Sequence, residues 1–225
     1  MKSLSCIFSE EGSFHSKSSV EVSSTITRVA SGCKIIIEFT VKQRQPWVIN
    51  NEWPKDRSQW GLWENDVVEV FIQPTLIGEP VSQQGTNGGS SPDQNELPYY
   101  EFQLSPLGQF FELEVFEPRK RWNEMFQSGF VTSTKLFSSP QVWRSTFEFD
   151  AQIWRPGQPS KKGTRQGSNE APAPLAPVEE WLGGAFAILG PSGSRSYWAL
   201  FLDGVQPPDR PDFHIPRRFR RLHGW

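Results

Sequence analysis

Trp63 and Glu69 stand near the two ends of one short run, Trp63–Phe71 (WENDVVEVF). A flat apolar ring beside an anchored carboxylate suits a sugar: pyranose C–H faces lie on aromatic rings, and hydroxyls need fixed hydrogen-bond partners. A second run, Tyr99–Leu104 (YYEFQL), adds Glu101 and Gln103 at alternate positions. In an extended strand alternate residues share a face. A face carrying Glu69, Glu101 and Gln103 and rimmed by tryptophan could present acceptors and an amide to a polyol. The ordinary use of the same residues is also open, since large rings usually serve packing and strand carboxylates are usually solvated.

Other chemistries find less support. Glu69, Glu101, Glu112 and Glu114 can be paired on paper as the two acids of a glycosidase, but nothing marks an acid and a base among them. The chain has no nucleophile elbow and no phosphate-cradling glycine loop, so it is expected not to be an enzyme. His15, His214 and His223 fall outside the strand patterns and read as solvated. Cys6 and Cys33 read as free thiols. No Cys/His spacing suits a metal, so no cofactor is expected.

The elements that must position these residues are strands. In Val67–Ile72, Val68, Val70 and Ile72 point to a core, and Val67, Glu69 and Phe71 point away. Residues 20–29 alternate loosely, and 34–41 more clearly, with Ile35, Ile37, Phe39 and Val41 on one face. Tyr99–Leu104 and Phe110–Phe116 form a hairpin around the Pro/Gly turn Ser105–Gly108. Further strands are expected near 130–136, 142–149, 184–189 and 197–202, with a short helical turn over Val178–Trp181. Residues 43–65 form a long connection holding Trp47, Trp53, Trp60 and Trp63, some pinning the loop and others displayed. Two polar segments, about 78–97 and 156–178, read as flexible insertions. The pattern predicts one domain over residues 1–225: an all-β, two-sheet antiparallel β-sandwich of jelly-roll or immunoglobulin-like type with long loop insertions.

Three blocks carry a family resemblance. Trp63–Phe71 resembles the W-E-x-D-x-V-E-[IV]-F segment of family 9 carbohydrate-binding modules and the wider DOMON-like superfamily. Tyr99–Gly108 (YYEFQLSPLG) is similar to the Y-x-E-[FI]-x-[VL]-[NS]-P-x-G block of that family, and Phe213–Phe219 (FHIPRRF) to its closing aromatic-x-x-P-x-x-F pattern. The blocks occur in family order and span about residues 20–222. The resemblance implies the same sandwich and non-catalytic sugar binding. Two aromatic rings would hold the ligand, at Trp63 and Phe213. The family's sugar-contacting carboxylate falls on Glu69. Its arginine on the following strand falls on Gln103, which removes a charged donor. Some relatives hold haem between Met and His, and Met125 is the one internal methionine here. Others carry structural calcium, for which Asp66, Asp203, Asp209 and Asp212 are the available oxygen ligands.

Bulk composition sets the partners. The 225 residues carry a net charge of −2, which gives no electrostatic case for nucleic acid or an anionic membrane. Arg217, Arg218, Arg220 and Arg221 read as a solvated tail. No apolar run opens the chain as a secretory signal would, and none is long enough to span a membrane. The expected setting is therefore cytoplasmic and the expected partner a carbohydrate, with the oligomeric state undetermined. Aromatic residues make up 13% of the chain, ten of them tryptophan. That exceeds what a core alone needs and favours a ligand surface. The competing expectation is a structural or protein-interaction β-sandwich that has lost the sugar site, which the missing signal favours.

Overall fold

Alternating apolar residues build two sheets that face each other. The computed structural model describes residues 1–9, 18–29, 32–76, 98–138, 141–150, 178–200, 212–223 and 225. The strands in chain order are β1 (Lys2–Ser3), β2 (Ser5–Ser9), β3 (Ser19–Val29), β4 (Gly32–Lys42), β5 (Val67–Leu76), β6 (Tyr99–Leu104) and β7 (Phe110–Glu117). They continue with β8 (Arg121–Asn123), β9 (Val131–Ser138), β10 (Gln141–Asp150), β11 (Val178–Leu189), β12 (Ser196–Ala199) and β13 (Arg220–Arg221). One sheet runs β1-β3-β4-β10-β9. The other runs β2-β12-β11-β5-β6-β7-β8, with β13 on β11. Every described pairing is antiparallel. The fold is the two-sheet β-sandwich that the alternation predicts.

The core between the sheets takes one residue in two from each central strand. Ile35, Ile37, Phe39 and Val41 of β4 and Trp143, Phe147 and Phe149 of β10 meet Val68, Val70 and Ile72 of β5 and Tyr100, Phe102 and Leu104 of β6. The rings of Phe102 and Phe149 lie 4.6 Å apart and join the two layers. Such packing of period-2 apolar faces is what drives a sandwich together.

A second apolar cluster covers the outer face of the β5–β6–β7 sheet. It includes Leu62, Val67, Phe71, Tyr99, Phe111, Leu113, Phe186, Phe213 and Phe219. These come from the alternate positions of the strands, from the 43–65 connection and from the C-terminal segment. The C-terminal chain can approach β11 closely because Gly183 lacks a side chain. A Cβ there would sit 2.6 Å from both the Leu222 side chain and the Phe71 carbonyl.

One local expectation is corrected. Val178–Trp181 is the start of β11, not a helical turn. Its backbone pairs with Thr75 and Pro74 of β5, and this long-range pairing overrides a weak local preference. The N-terminal strands β1 and β2 carry no alternation strong enough to announce them. The insertions at 78–97 and about 156–178 lie outside the described residues, apart from the 178 boundary. The Cys6 thiol donates to the Phe8 carbonyl (3.3 Å).

Candidate functional site

The 43–65 connection is bolted to the sandwich before it presents its rings. Asp66, fully buried, sits at the mouth of β5. Its Oδ2 accepts from the Gln43 side chain (3.1 Å) and the Val48 amide (3.0 Å), and its Oδ1 accepts from the Gly190 amide (2.6 Å). Gln109 donates to the carbonyls of Asn50 and Trp53, and the Gln59 amide donates to the Phe110 carbonyl (2.9 Å). Trp47 packs edge-on against the core ring of Trp143, and Trp53 packs into the outer cluster. Two tryptophans thus pin the loop. Gly61, at φ 85°, then lets the chain enter the short turn Leu62–Glu64. That turn carries Trp63 beside Trp60, their ring centroids 5.0 Å apart, with Phe111 behind both.

Burial pushes the Asp66 carboxyl up from 3.8 to about 6 in spite of its three N–H donors. A carboxyl raised in the folded state binds its proton more tightly there than in the unfolded chain. Its stabilising contribution is full below about pH 4 and is lost as pH rises through about 6, a span worth about 3 kcal/mol. Burial pushes Glu69, Glu101, Glu112 and Glu114 in the same direction. Thermal melts should therefore give a higher midpoint at pH 5 than at pH 7.5. An equal or lower midpoint at pH 5 would contradict this.

Between the pinned loop and the C-terminal segment lies a cleft of about 340 Å³ over the outer face of β5, β6 and β7. Its aromatic walls are Trp60, Trp63, Phe111, Trp122, Tyr197 and Phe213. Its floor is Glu69, Glu101 and Gln103, and Arg119, Arg195, Asp212 and His214 stand around it. All four residues singled out in the sequence, Trp63, Glu69, Gln103 and Phe213, line this one space. The register explains the floor. Glu69 of β5 is directly opposite Gln103 of β6, and Glu101 is opposite Phe71, so the three polar side chains share the outer face.

This face is not solvated. Glu69 is 3% exposed, Glu101 4% and Gln103 1%. The Gln103 Nε2 donates to Glu101 Oε1 at 2.6 Å, while its own Oε1 is buried without a partner among the described residues. His214 Nε2 lies 3.8 Å from Glu101 Oε2, and His214 Nδ1 lies 2.7 Å from the Tyr99 hydroxyl. Burial, then the neighbouring Glu101 charge, hold the Glu69 carboxyl well above the usual range. Burial also raises Glu101, against the opposing pull of His214 and the Gln103 amide.

Phe213 forms part of a wall, with one ring face taken by Phe186 (4.3 Å, 23° between planes). Trp63 is half-buried and Trp60 is 50% exposed, so these two offer the free ring surface. Glu112 and Glu114 point to the opposite face. Glu112 Oε2 accepts from the Ser128 amide (2.8 Å) and hydroxyl (2.7 Å), and Glu114 accepts from Asn123 (3.2 Å).

Two lining residues come from irregular segments of the chain. His214 is not a solvated tail residue: the C-terminal segment folds back and sets it edge-on against Phe71, 5.2 Å away. Arg119 holds the left-handed conformation (φ 62°) that a turn position after proline usually gives to glycine. Its guanidinium pairs with Asp212 at 2.8 Å. A non-glycine residue held there is the kind of strain that accompanies function, and no period in the sequence signals it.

Among the described residues no group of three or more acidic, His or Cys side chains is arranged for a metal. Asp66 spends its oxygens on N–H donors, Asp212 pairs with Arg119, and Asp203 and Asp209 lie outside the described residues. Met125, the methionine considered for haem, is 82% exposed and away from the cleft. Among the described residues no helix is long and apolar enough to cross a membrane. No family model, curated protein or solved structure matches the chain.

Proposed function

We propose that the cleft binds a small carbohydrate without transforming it. One observation carries the reading. Residues from the 43–65 connection, β5, β6, β7, β8, β12 and the C-terminal segment converge on one space with aromatic walls and a floor of two carboxyls and an amide. Its volume falls near the lower end of small-ligand sites, about 300–1,000 Å³, which suits one or two sugar rings. Trp63 and Trp60 give the rings on which a pyranose face can rest, and Phe213 closes the far wall. Glu69, Glu101 and Gln103 hydrogen-bond the hydroxyls beneath. The sequence blocks similar to family 9 carbohydrate-binding modules point the same way.

A binding role accounts better for the carboxyls than hydrolysis does. A two-acid glycosidase needs one protonated acid beside one ionised base or nucleophile, flanking the scissile bond. Glu69 and Glu101 instead sit diagonally across one strand pair on the same floor, and both are shifted in the same direction.

Calorimetric titration with a panel of mono- and disaccharides tests the reading. A ligand should bind with a Kd between millimolar and micromolar, about −4 to −8 kcal/mol. The range is modest because a hydroxylated ligand must surrender water that the site only replaces. Glu69→Gln keeps one acceptor oxygen and adds N–H donors, so it should weaken a neutral sugar by only about 1 kcal/mol. A panel with no binder at high millimolar concentration would leave the protein-interaction sandwich as the better account.

A further inference from the structure

The floor of the cleft is out of balance in hydrogen-bonding groups. The Glu69 carboxyl is 3% exposed and has no hydrogen-bond or ion-pair partner among the described residues. Among the described residues Glu101 Oε2 has only His214, at 3.8 Å. Gln103 Oε1 is an orphaned buried acceptor, because the amide nitrogen of Gln103 is committed to Glu101. Three acceptors from adjacent strands therefore converge under aromatic rings. Glu69 and Glu101 are diagonal neighbours across the strand pair, at the spacing of about 7–8 Å from which two side chains can reach one nitrogen.

Positive charge stands near but is engaged elsewhere. The Arg119 guanidinium pairs with Asp212, and Arg195 donates to the Glu64 carbonyl at 2.6 Å. An unpaired carboxylate in such a place is costly, and burial together with mutual repulsion pushes both carboxyls upward.

A neutral hydroxyl answers this floor poorly, since it brings one donor and further lone pairs. An ammonium group brings three donors, no lone pair and the missing positive charge. The tryptophan faces above also favour a cation. We infer that the preferred ligand is an amino sugar, its ammonium seated among Glu69, Glu101 and Gln103 Oε1 with its ring against Trp60 and Trp63. This rests on the carbohydrate reading and specifies the ligand within it. Seating the cation favours the ionised form of both carboxyls and so opposes the upward push of burial. The other ionisable groups facing that floor are His214 and Asp212 from the C-terminal segment, Arg119, Arg195, and the hydroxyls of Tyr99 and Tyr197.

The test is calorimetry on the full chain at pH 6, with glucosamine, galactosamine and mannosamine, their parent hexoses, N-acetylglucosamine and cyclohexylamine. At least one hexosamine should bind about tenfold or more tighter than its parent, the gain of a charge-assisted bond over a neutral one. N-acetylglucosamine, which keeps the ring but loses the charge, should fall back to the hexose level. Glu69→Gln, and separately Glu101→Gln, should bring the hexosamine-to-hexose ratio toward one. If hexoses bind and no hexosamine binds better, the amino-sugar inference is overturned while the carbohydrate reading stands. If cyclohexylamine matches the hexosamines and no hexose binds, both are overturned in favour of a bare ammonium site. Absence of binding by every probe overturns both as well.

Discussion

Trp63→Ala is expected to weaken sugar binding by 2 kcal/mol or more, roughly thirtyfold, while the fold stays intact. The ring is half-buried and sits edge-on to Trp60 and Phe111 at 5.0 and 5.8 Å. It therefore offers a large rigid surface to the cleft at little entropic cost, which is why tryptophan so often dominates a binding site. Truncation also leaves Trp60 without the neighbour that orients it. The loop itself should hold, because its anchors are elsewhere, at Asp66, Gln109, Trp47 and Trp53. Calorimetry with the tightest hexose of the panel reads the loss, and a thermal melt checks the fold. Unchanged affinity in a folded variant would remove Trp63 from the site.

Phe102→Ala is expected to destabilise the protein by about 3–5 kcal/mol, the range for a fully buried phenylalanine. Phe102 has no exposed surface and lies 4.6 Å from Phe149 and 5.1 Å from Phe130, ring to ring. Its removal opens a void where the two sheets meet. Gln103→Ala, one residue later, faces the cleft instead. It removes one hydrogen bond to Glu101 and one orphaned oxygen, so its cost should be about 1 kcal/mol. Urea unfolding of both variants separates the two faces of β6. Equal losses would mean that the facing of this strand is wrong.

The strands that build the site are legible because each is apolar on one face and mixed on the other. Val68, Val70 and Ile72 announce the core side of β5, and that alone delivers Glu69 to the outer side. The hairpin turn at Ser105–Gly108 does the same for Gln103. Alternation misleads in one respect. It presents Glu101 and Gln103 as residues of a non-core face open to solvent, yet both are buried. A sandwich read from two sheets has no third layer. Here the 43–65 connection and the C-terminal segment supply one over Glu101 and Gln103, and their contacts have no period to read. Trp60, His214 and Arg119 enter the site through those irregular segments, so their roles come from long-range packing. Phe213 is placed by a motif in the tail, but no motif announces that Phe186 takes one face of its ring.

A bound sugar is expected to rest on Trp63 in this cleft. The most direct measurement follows the indole N–H resonances of the ten tryptophans during titration with a hexose and with its hexosamine. Assignment comes from single Trp→Phe variants. The resonances of Trp63 and Trp60 should shift in a saturable way, and those of the core tryptophans Trp143 and Trp181 should stay in place. A saturating sugar that moves neither Trp60 nor Trp63 would contradict that placement.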